Sequence, residues 1–308
     1  MTTSEAVAES AAPAAVDVRG GVIAALSAYF LWGFLPLLFH AMEGVGPVMI
    51  VAERTIWSLV LVGVILLVTG KMGEVRAVLA DGRKVRVMLL SAVLLSGNWL
   101  LYVWAVESGQ VLQASFGYFI NPLVNIGIGM VLLGERQNFW QTMSIAVAAV
   151  AILLQSVGLG GIPFIALGLA FSFGFYGYFR KTASVGSTTG LFAETLMIAP
   201  VALIYVIFQI ATVGTAQFTD PLQLTLSLLT GPATAVPLLL FAYGVQRLRM
   251  TTIGMFQYIA PSIQFVLAIT VFGEQLNATR LISFALIWVS LAMFSWNSFQ
   301  QRGRTARA

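Results

Sequence analysis

Three ionisable side chains sit inside long apolar stretches of this chain: Glu53 and Arg54 within 47–69, and Glu194 within 187–209. A charge in a low-dielectric interior is costly unless paired or hydrated, so such residues are functional candidates by default. A carboxyl whose surroundings balance burial against a nearby cation can take up and release a proton. That chemistry would couple a proton or a charge to some other event. The competing reading is a fixed ion pair or cap, with Arg54 reaching toward an interface.

A second group is polar but uncharged. In SFGYFINPLVNIGIGM, Tyr118, Asn121 and Asn125 recur at spacings of three and four and share one helix face, with Pro122 among them. Pro122 removes a backbone donor and clashes with the preceding turn. The stretch GMFQYIAPSIQF repeats the device: Gln257, Tyr258 and Gln264 flank Pro261. Two proline-broken helices at corresponding positions point to a solute-binding site; buried amides acting as helix–helix glue are the alternative. NWLLYVWAVE adds Asn98, Trp99 and Tyr102, able to wall a pocket for an organic solute with an apolar body, while Trp104 reads as an interfacial aromatic. Trp32 and Tyr176 lie in the Gly-containing stretches LWGFLP and SFGFYGYFRK, where the glycines and Pro36 suggest bending or close packing. His40 reads as an interfacial residue. Glu135 and Glu274 each follow a Gly and precede an Asn by three residues, which marks them as matched cap or turn residues.

The elements that position these residues follow from composition. Of 308 residues, 59% are hydrophobic and only 9% charged, and mean hydropathy is +0.92. A soluble domain carries about 25% charged residues, so lipid must be the main solvent for this surface. With no Cys and one His, disulfide, thiol and His-based metal chemistry are excluded, and no cofactor or metal is expected. HExxH, GxSxG and P-loop signatures are absent, so the sequence gives no support to an enzyme.

Apolar runs predict ten helices at 20–40, 47–69, 87–107, 111–133, 138–156, 162–180, 187–209, 224–246, 251–272 and 279–299, with the longest loops at 70–86 and 210–223. Residues 1–18 lack a basic n-region and read as a disordered cytoplasmic tail, and 300–308 as a basic one. Put the N-terminus in the cytoplasm, and all 16 Lys and Arg residues fall on the cytoplasmic side except Arg54 and Arg280. The basic residues thus lie in loops and tails, which is not a nucleic-acid surface. The expected partners are a small-molecule solute and membrane lipid, and oligomeric state is left open, a monomer being compatible.

The chain also repeats itself. Shifted by 139 residues, the segment 98–138 overlies 237–277 without a gap, and Ile120, Pro122, Gly134, Glu135 and Asn138 meet Ile259, Pro261, Gly273, Glu274 and Asn277. A shift near 141 pairs Gly33-Phe34 with Gly174-Phe175 and Ala52-Glu53 with Ala193-Glu194. Five helices is an odd number, so the second copy must run upside down. The expected fold is therefore all-α and membrane-integral, with ten transmembrane helices as two inverted five-helix repeats, 19–158 and 159–299. The expected function is secondary transport by alternating access. A passive uniporter or a non-transporting membrane factor are the alternatives.

The runs NWLLYVWAVESGQVLQASFGYFINPLVNIGIG, SFGFYGYFRK, FQYIAPSIQF and FGEQ resemble the RarD branch of the EamA-type transporters, in the drug/metabolite transporter superfamily. The resemblance spans about residues 20–299. It implies a multi-pass protein of the prokaryotic inner membrane with both termini cytoplasmic, and an exporter of a small metabolite or drug-like solute, in some relatives driven by a proton gradient. It also implies a central cavity lined by helices one, three, four, six, eight and nine, which places Trp32, Asn98, Tyr102, Tyr118, Asn121, Tyr176 and Gln257 in lining elements.

Overall fold

The computed structural model describes residues 17–42, 44–108, 110–156, 164–214, 219–273 and 278–305. Among them there are twelve helices and no strand: α1 Val18–Ala41, α2 Pro47–Val68, α3 Met72–Ala80, α4 Gly82–Glu107, α5 Val111–Leu132, α6 Phe139–Ser156, α7 Phe164–Thr182, α8 Ser187–Val213, α9 Pro221–Arg247, α10 Met250–Gln257, α11 Ile259–Thr270 and α12 Ala278–Thr305. Seven stretches are long and apolar enough to cross a membrane, with α10 and α11 together forming one of them; Phe116–Leu132 and Leu281–Asn297 are shorter apolar helices. Val201, Ile204 and Ile207 of α8 are each more than 60% exposed. An apolar band of that kind is stable only against lipid.

Helix starts are written locally. Asp17 caps α1 by accepting from the Gly20 amide, and it also accepts from the Tyr243 hydroxyl at 2.9 Å. These bonds, with Arg247 and Arg19 nearby, hold its carboxyl below the usual carboxylate range. The cap therefore stabilises the fold above the ordinary Asp pKa and loses that contribution as pH falls through the lowered value. Asn138 Nδ2 donates to Asn297 Oδ1 at 2.8 Å, and the loop after α5 touches the start of α10. The first turn of α1 and the last turns of α12 thus share one end of the bundle.

Three expectations about elements need correction. Residues 70–86 are not a loop: α3 fills them, burying Val75 and Val78. A nine-residue helix is too short to register as a span, and its apolar face is only two residues wide. The last helix does not end at 299, because α12 continues to Thr305. Pro122 does not break its helix, since α5 runs unbroken from Val111 to Leu132. α5 is clamped on both sides of the proline. A Cβ on Gly117 would lie 3.0 Å from the Ala166 carbonyl of α7, and one on Gly254 would lie 2.6 Å from the Pro122 carbonyl. At Pro261 the interruption is real. The missing amide leaves Gln257 without its partner, and the helix divides at Tyr258 into α10 and α11.

Small residues set the helix spacing where burial alone gives little driving force. Gly33 of α1 packs on Ile263 of α11, Gly174 of α7 on Val124 of α5, and Gly231 of α9 on Trp57 of α2. Replacing Gly254 by Ala should cost about 1–3 kcal/mol, because its new methyl meets a backbone carbonyl that cannot rotate away. Gly97, with nothing within 4 Å of its would-be Cβ, should accept the same change with little effect. Thermal unfolding in detergent checks the pair, and an equal response at both sites would contradict the packing described.

Candidate functional site

Two polar constellations lie in the bundle. The first gathers around Arg54 of α2. Its Nε donates to Thr234 Oγ1 of α9 at 2.9 Å. Its guanidinium lies over the Trp99 ring of α4 at 4.5 Å and near the Phe39 ring of α1 at 5.7 Å. Tyr102 of α4 and Tyr118 of α5 meet edge to face at 5.9 Å, and both hydroxyls lie within electrostatic reach of Arg54. Tyr118 keeps 40% of its surface accessible.

The second constellation is sealed. Arg180 of α7 and Glu194 of α8 are both fully buried and stand 3.6 Å apart, Nη1 to Oε1. Ser91 of α4 donates to Glu194 Oε1 at 2.6 Å. Arg180 Nη2 donates to the carbonyls of Gly186 at 3.3 Å and Ser187 at 3.2 Å. The guanidinium crosses the face of Gly190 so closely that a Cβ there would sit 1.8 Å from Nη1. Tyr176 lies within electrostatic reach of the pair, and among the described residues its hydroxyl makes no hydrogen bond of good geometry. Gln246 and Lys181 tie α7 to the end of α9 beside it: Gln246 Nε2 donates to Val185 O at 2.8 Å, and Lys181 Nζ donates to Val245 O at 3.0 Å and to Leu248 O.

The bundle also holds an aromatic core. Tyr29 and Trp32 of α1, Phe173 and Tyr176 of α7, and Phe241 of α9 contact one another with centroid separations of 5.3–6.2 Å. Beside it, Asn125 Nδ2 donates to Gln257 Oε1 at 2.7 Å, joining α5 to α10.

The residues singled out in the sequence therefore fall into separate places. Arg54, Trp99, Tyr102 and Tyr118 come together. Trp32 and Tyr176 join the aromatic core. Asn98 is occupied in holding α4 to α7, donating to Leu169 O and Ser172 Oγ at 2.9 Å each. Gln264 likewise donates to Trp32 O at 3.2 Å. Asn121 is buried, with no hydrogen-bond partner for its Oδ1 among the described residues. Tyr258 lies apart, in a core with Phe116, Ile126, Ile287 and Phe294. Glu53 is buried. Glu194 belongs to the second constellation, with Arg180 and Ser91. His40 stacks edge to face on Phe272 at 5.2 Å. Glu135 caps α10 rather than its own turn, whereas Glu274 and Asn277 lie outside the described residues.

Sequence reasoning missed Arg180, Ser91, Thr234 and Phe241. Arg180 and Lys181 close an apolar run, so both read as solvated cytoplasmic charges; the structure buries Arg180 completely. Phe241 carried a usable signal, because the internal repeat sets it opposite Tyr102. A groove of about 410 Å³ between α1, α8 and α9, lined by Ile23, Ala24, Leu239 and Leu240, is mostly apolar and reaches Ser187, whose carbonyl accepts from Arg180.

Comparison with known proteins decides the family. Residues 19–157 match the EamA-like transporter family. The chain is 42% identical to protein RarD of Escherichia coli K12, over 95% of this chain and 99% of that protein. It is 45% identical to protein RarD of Salmonella typhi, over 91% and 96% of the two chains. The chain belongs to the RarD branch of the EamA-like transporter family. It is thus a multi-pass membrane transporter of the drug/metabolite transporter superfamily. A further relative, an uncharacterized transporter of Bacillus subtilis named YojE, is 37% identical over 91% of this chain and 95% of its own length. One solved protein structure superposes with a TM-score of 0.71 at 16% identity, covering 90% of this chain and 97% of the other. At that identity the likeness concerns the fold alone.

Proposed function

We propose that this transporter exports a small organic solute across the inner membrane by alternating access, with proton coupling through Glu194. The reading takes ten spans in two inverted repeats, α1, α2, α4, α5, α6 and α7, α8, α9, α10–α11, α12, with both termini cytoplasmic. Packing supports it. α1 packs on α9 as α7 packs on α4, and α5 packs on α7 as α11 packs on α1; α2 meets α8, α5 meets α10, and α6 meets α12. Every such contact has a counterpart with the halves exchanged, which a two-fold relation requires. The glycine contacts behave alike: Gly33 and Gly174 match at a shift of 141, and their partners Ile263 and Val124 match at 139.

The observation that carries the transport reading is the contrast between the halves. Tyr118 keeps accessible surface beside Arg54, whereas Arg180 and Glu194 are fully buried against each other. A crevice open to one side and closed to the other is one state of an alternating pair. A second reading, gradient-independent uniport, is favoured by the ion pair itself, since a carboxylate already matched by Arg180 needs no proton to stay buried. Purified protein in liposomes separates the two. Flux of a solute drawn from amino acids, amines, organic acids or antibiotics should rise with an imposed pH gradient; flux indifferent to the gradient would establish uniport. Absence of flux for every candidate would contradict both.

A further inference from the structure

Between α2 and α4 the chain turns its charge outward. Residues 71–86 hold five basic side chains, Lys71, Arg76, Arg83, Lys84 and Arg86, against two acidic ones, Glu74 and Asp81. α3 lays Val75 and Val78 on the bundle. Both acids are drawn into local bonds. Thr189 of α8 donates to Glu74 Oε2 at 2.7 Å. Asp81 accepts from the amides of Arg83 and Lys84 at 2.9 and 3.2 Å and pairs with Lys84 Nζ at 3.7 Å. Lys71, Arg76, Arg83 and Arg86 stand exposed. Their level is fixed by the apolar surface beside them. Val64, Leu67 and Val68 at the end of α2 are exposed, Val68 to 82%, and Lys71 follows within one turn. Leu89, Leu90 and Val93 of α4 are exposed as well, and Arg83 and Arg86 precede them by one to two turns. The basic residues thus lie where surface suited to hydrocarbon gives way to surface suited to water, which is the level of lipid headgroups.

We infer that α3 and the start of α4 form a binding surface for the headgroup of an anionic phospholipid. Clustered basic residues on an amphipathic helix beside a membrane span attract anionic lipid. The guanidinium forks of Arg76 and Arg83 match phosphate oxygens with parallel bonds. Leu79, exposed on the same short helix, adds apolar contact with the lipid. A zwitterionic lipid brings its own cation, which the basic cluster repels. The membrane lipid is the occupant, because the cluster stands at the edge of surface that hydrocarbon already covers; a free phosphate would gain nothing from that apolar border. The inference goes beyond the transport reading and does not depend on the solute, the coupling ion or the direction of flux.

The test uses purified full-length protein in detergent with equal amounts of dioleoylphosphatidylglycerol and dioleoylphosphatidylcholine. Native mass spectrometry reads the lipid retained. Phosphatidylglycerol should be retained about tenfold or more over phosphatidylcholine. Arg76→Gln/Arg83→Gln should cut that preference to about twofold or less. Arg19→Gln/Arg136→Gln, which removes the same charge from exposed positions elsewhere, should keep it. Free glycerol 3-phosphate should not displace the lipid. Equal retention of the two lipids, equal loss in both variants, no loss in Arg76→Gln/Arg83→Gln, or displacement by free glycerol 3-phosphate would each overturn the lipid site. A second measurement needs no variant and stands if one fails to fold. In phosphatidylglycerol nanodiscs, a water-soluble acetylating ester should modify Lys71 and Lys84 several-fold more slowly than in phosphatidylcholine nanodiscs. Lys181, bonded to the Val245 carbonyl at the end of α9, should react alike in both. Equal slowing at all three lysines, or no slowing at Lys71 and Lys84, would contradict the site.

Discussion

Arg180→Met should lower the unfolding free energy of the transporter by about 3–5 kcal/mol, because it leaves Glu194 as a buried charge without its partner. Both side chains are fully buried, so neither can relax into water. The loss extends beyond one contact. Arg180 also ties the backbone at Gly186 and Ser187 to α7, and Ser91 brings α4 to the same carboxylate. The double variant Arg180→Met/Glu194→Met should recover most of the loss, since removing a buried pair together is often near neutral. Glu194→Gln should share the destabilisation, because it strands the Arg180 cation. Thermal and denaturant unfolding of the parent, Arg180→Met, Glu194→Met and the double variant in one detergent gives the cycle. Additive losses would mean that the two residues act independently, and the sealed constellation would then not be a unit.

Glu135→Ala should cost about 2–4 kcal/mol and act at a distance from its own helix. Its carboxylate accepts from the amides of Met250 and Thr251 at 2.6 and 2.9 Å and from the Thr251 hydroxyl at 2.6 Å. Those are the orphan donors at the start of α10, and charge-assisted bonds to them are worth about 1.5–3 kcal/mol each before compensation by water. Arg249 stands 3.7 Å away on the exposed side, and Gln137 also bonds Thr251. α10 has eight residues and ends at the Tyr258 break, so it has little helical stability of its own. Loss of the cap should therefore raise hydrogen exchange at the α10 amides above that of α5, and Glu135→Gln should restore much of the protection. Protection in Glu135→Ala equal to that of the parent would show that α10 is held by packing alone.

What the sequence made visible was the class of structure and most of the rare residue types. An apolar run of twenty residues has one reading in lipid, so spans and their polar interruptions could be found by inspection. Glu53, Arg54 and Glu194 stood out for the same reason. Partnership was not visible. Arg180 sits at the end of an apolar run next to Lys181, where charge is normally solvated; only the turn at Gly186 and the bare face of Gly190 fold α8 back over it. Tyr258 looked equivalent to its neighbour Gln257, but successive residues on a helix point about 100° apart, and it enters a different core. The two prolines look alike in sequence and behave differently, because the helices clamping Pro122 come from parts of the chain 40 and 130 residues away. The amides of Asn98 and Gln264 are spent on helix contacts, a role that periodicity alone cannot distinguish from solute binding.

The most direct measurement follows from the absence of cysteine in the chain. Single cysteines at Thr234, beside Arg54, and at Ser91, beside Glu194, can be labelled with a membrane-impermeant thiol reagent from each side of sealed vesicles, with and without a pH gradient. One crevice shared by two inverted halves predicts that accessibility at the two positions moves in opposite directions, each from its own side. Changes in the same direction at both, or positions that react from one side whatever the condition, would contradict it.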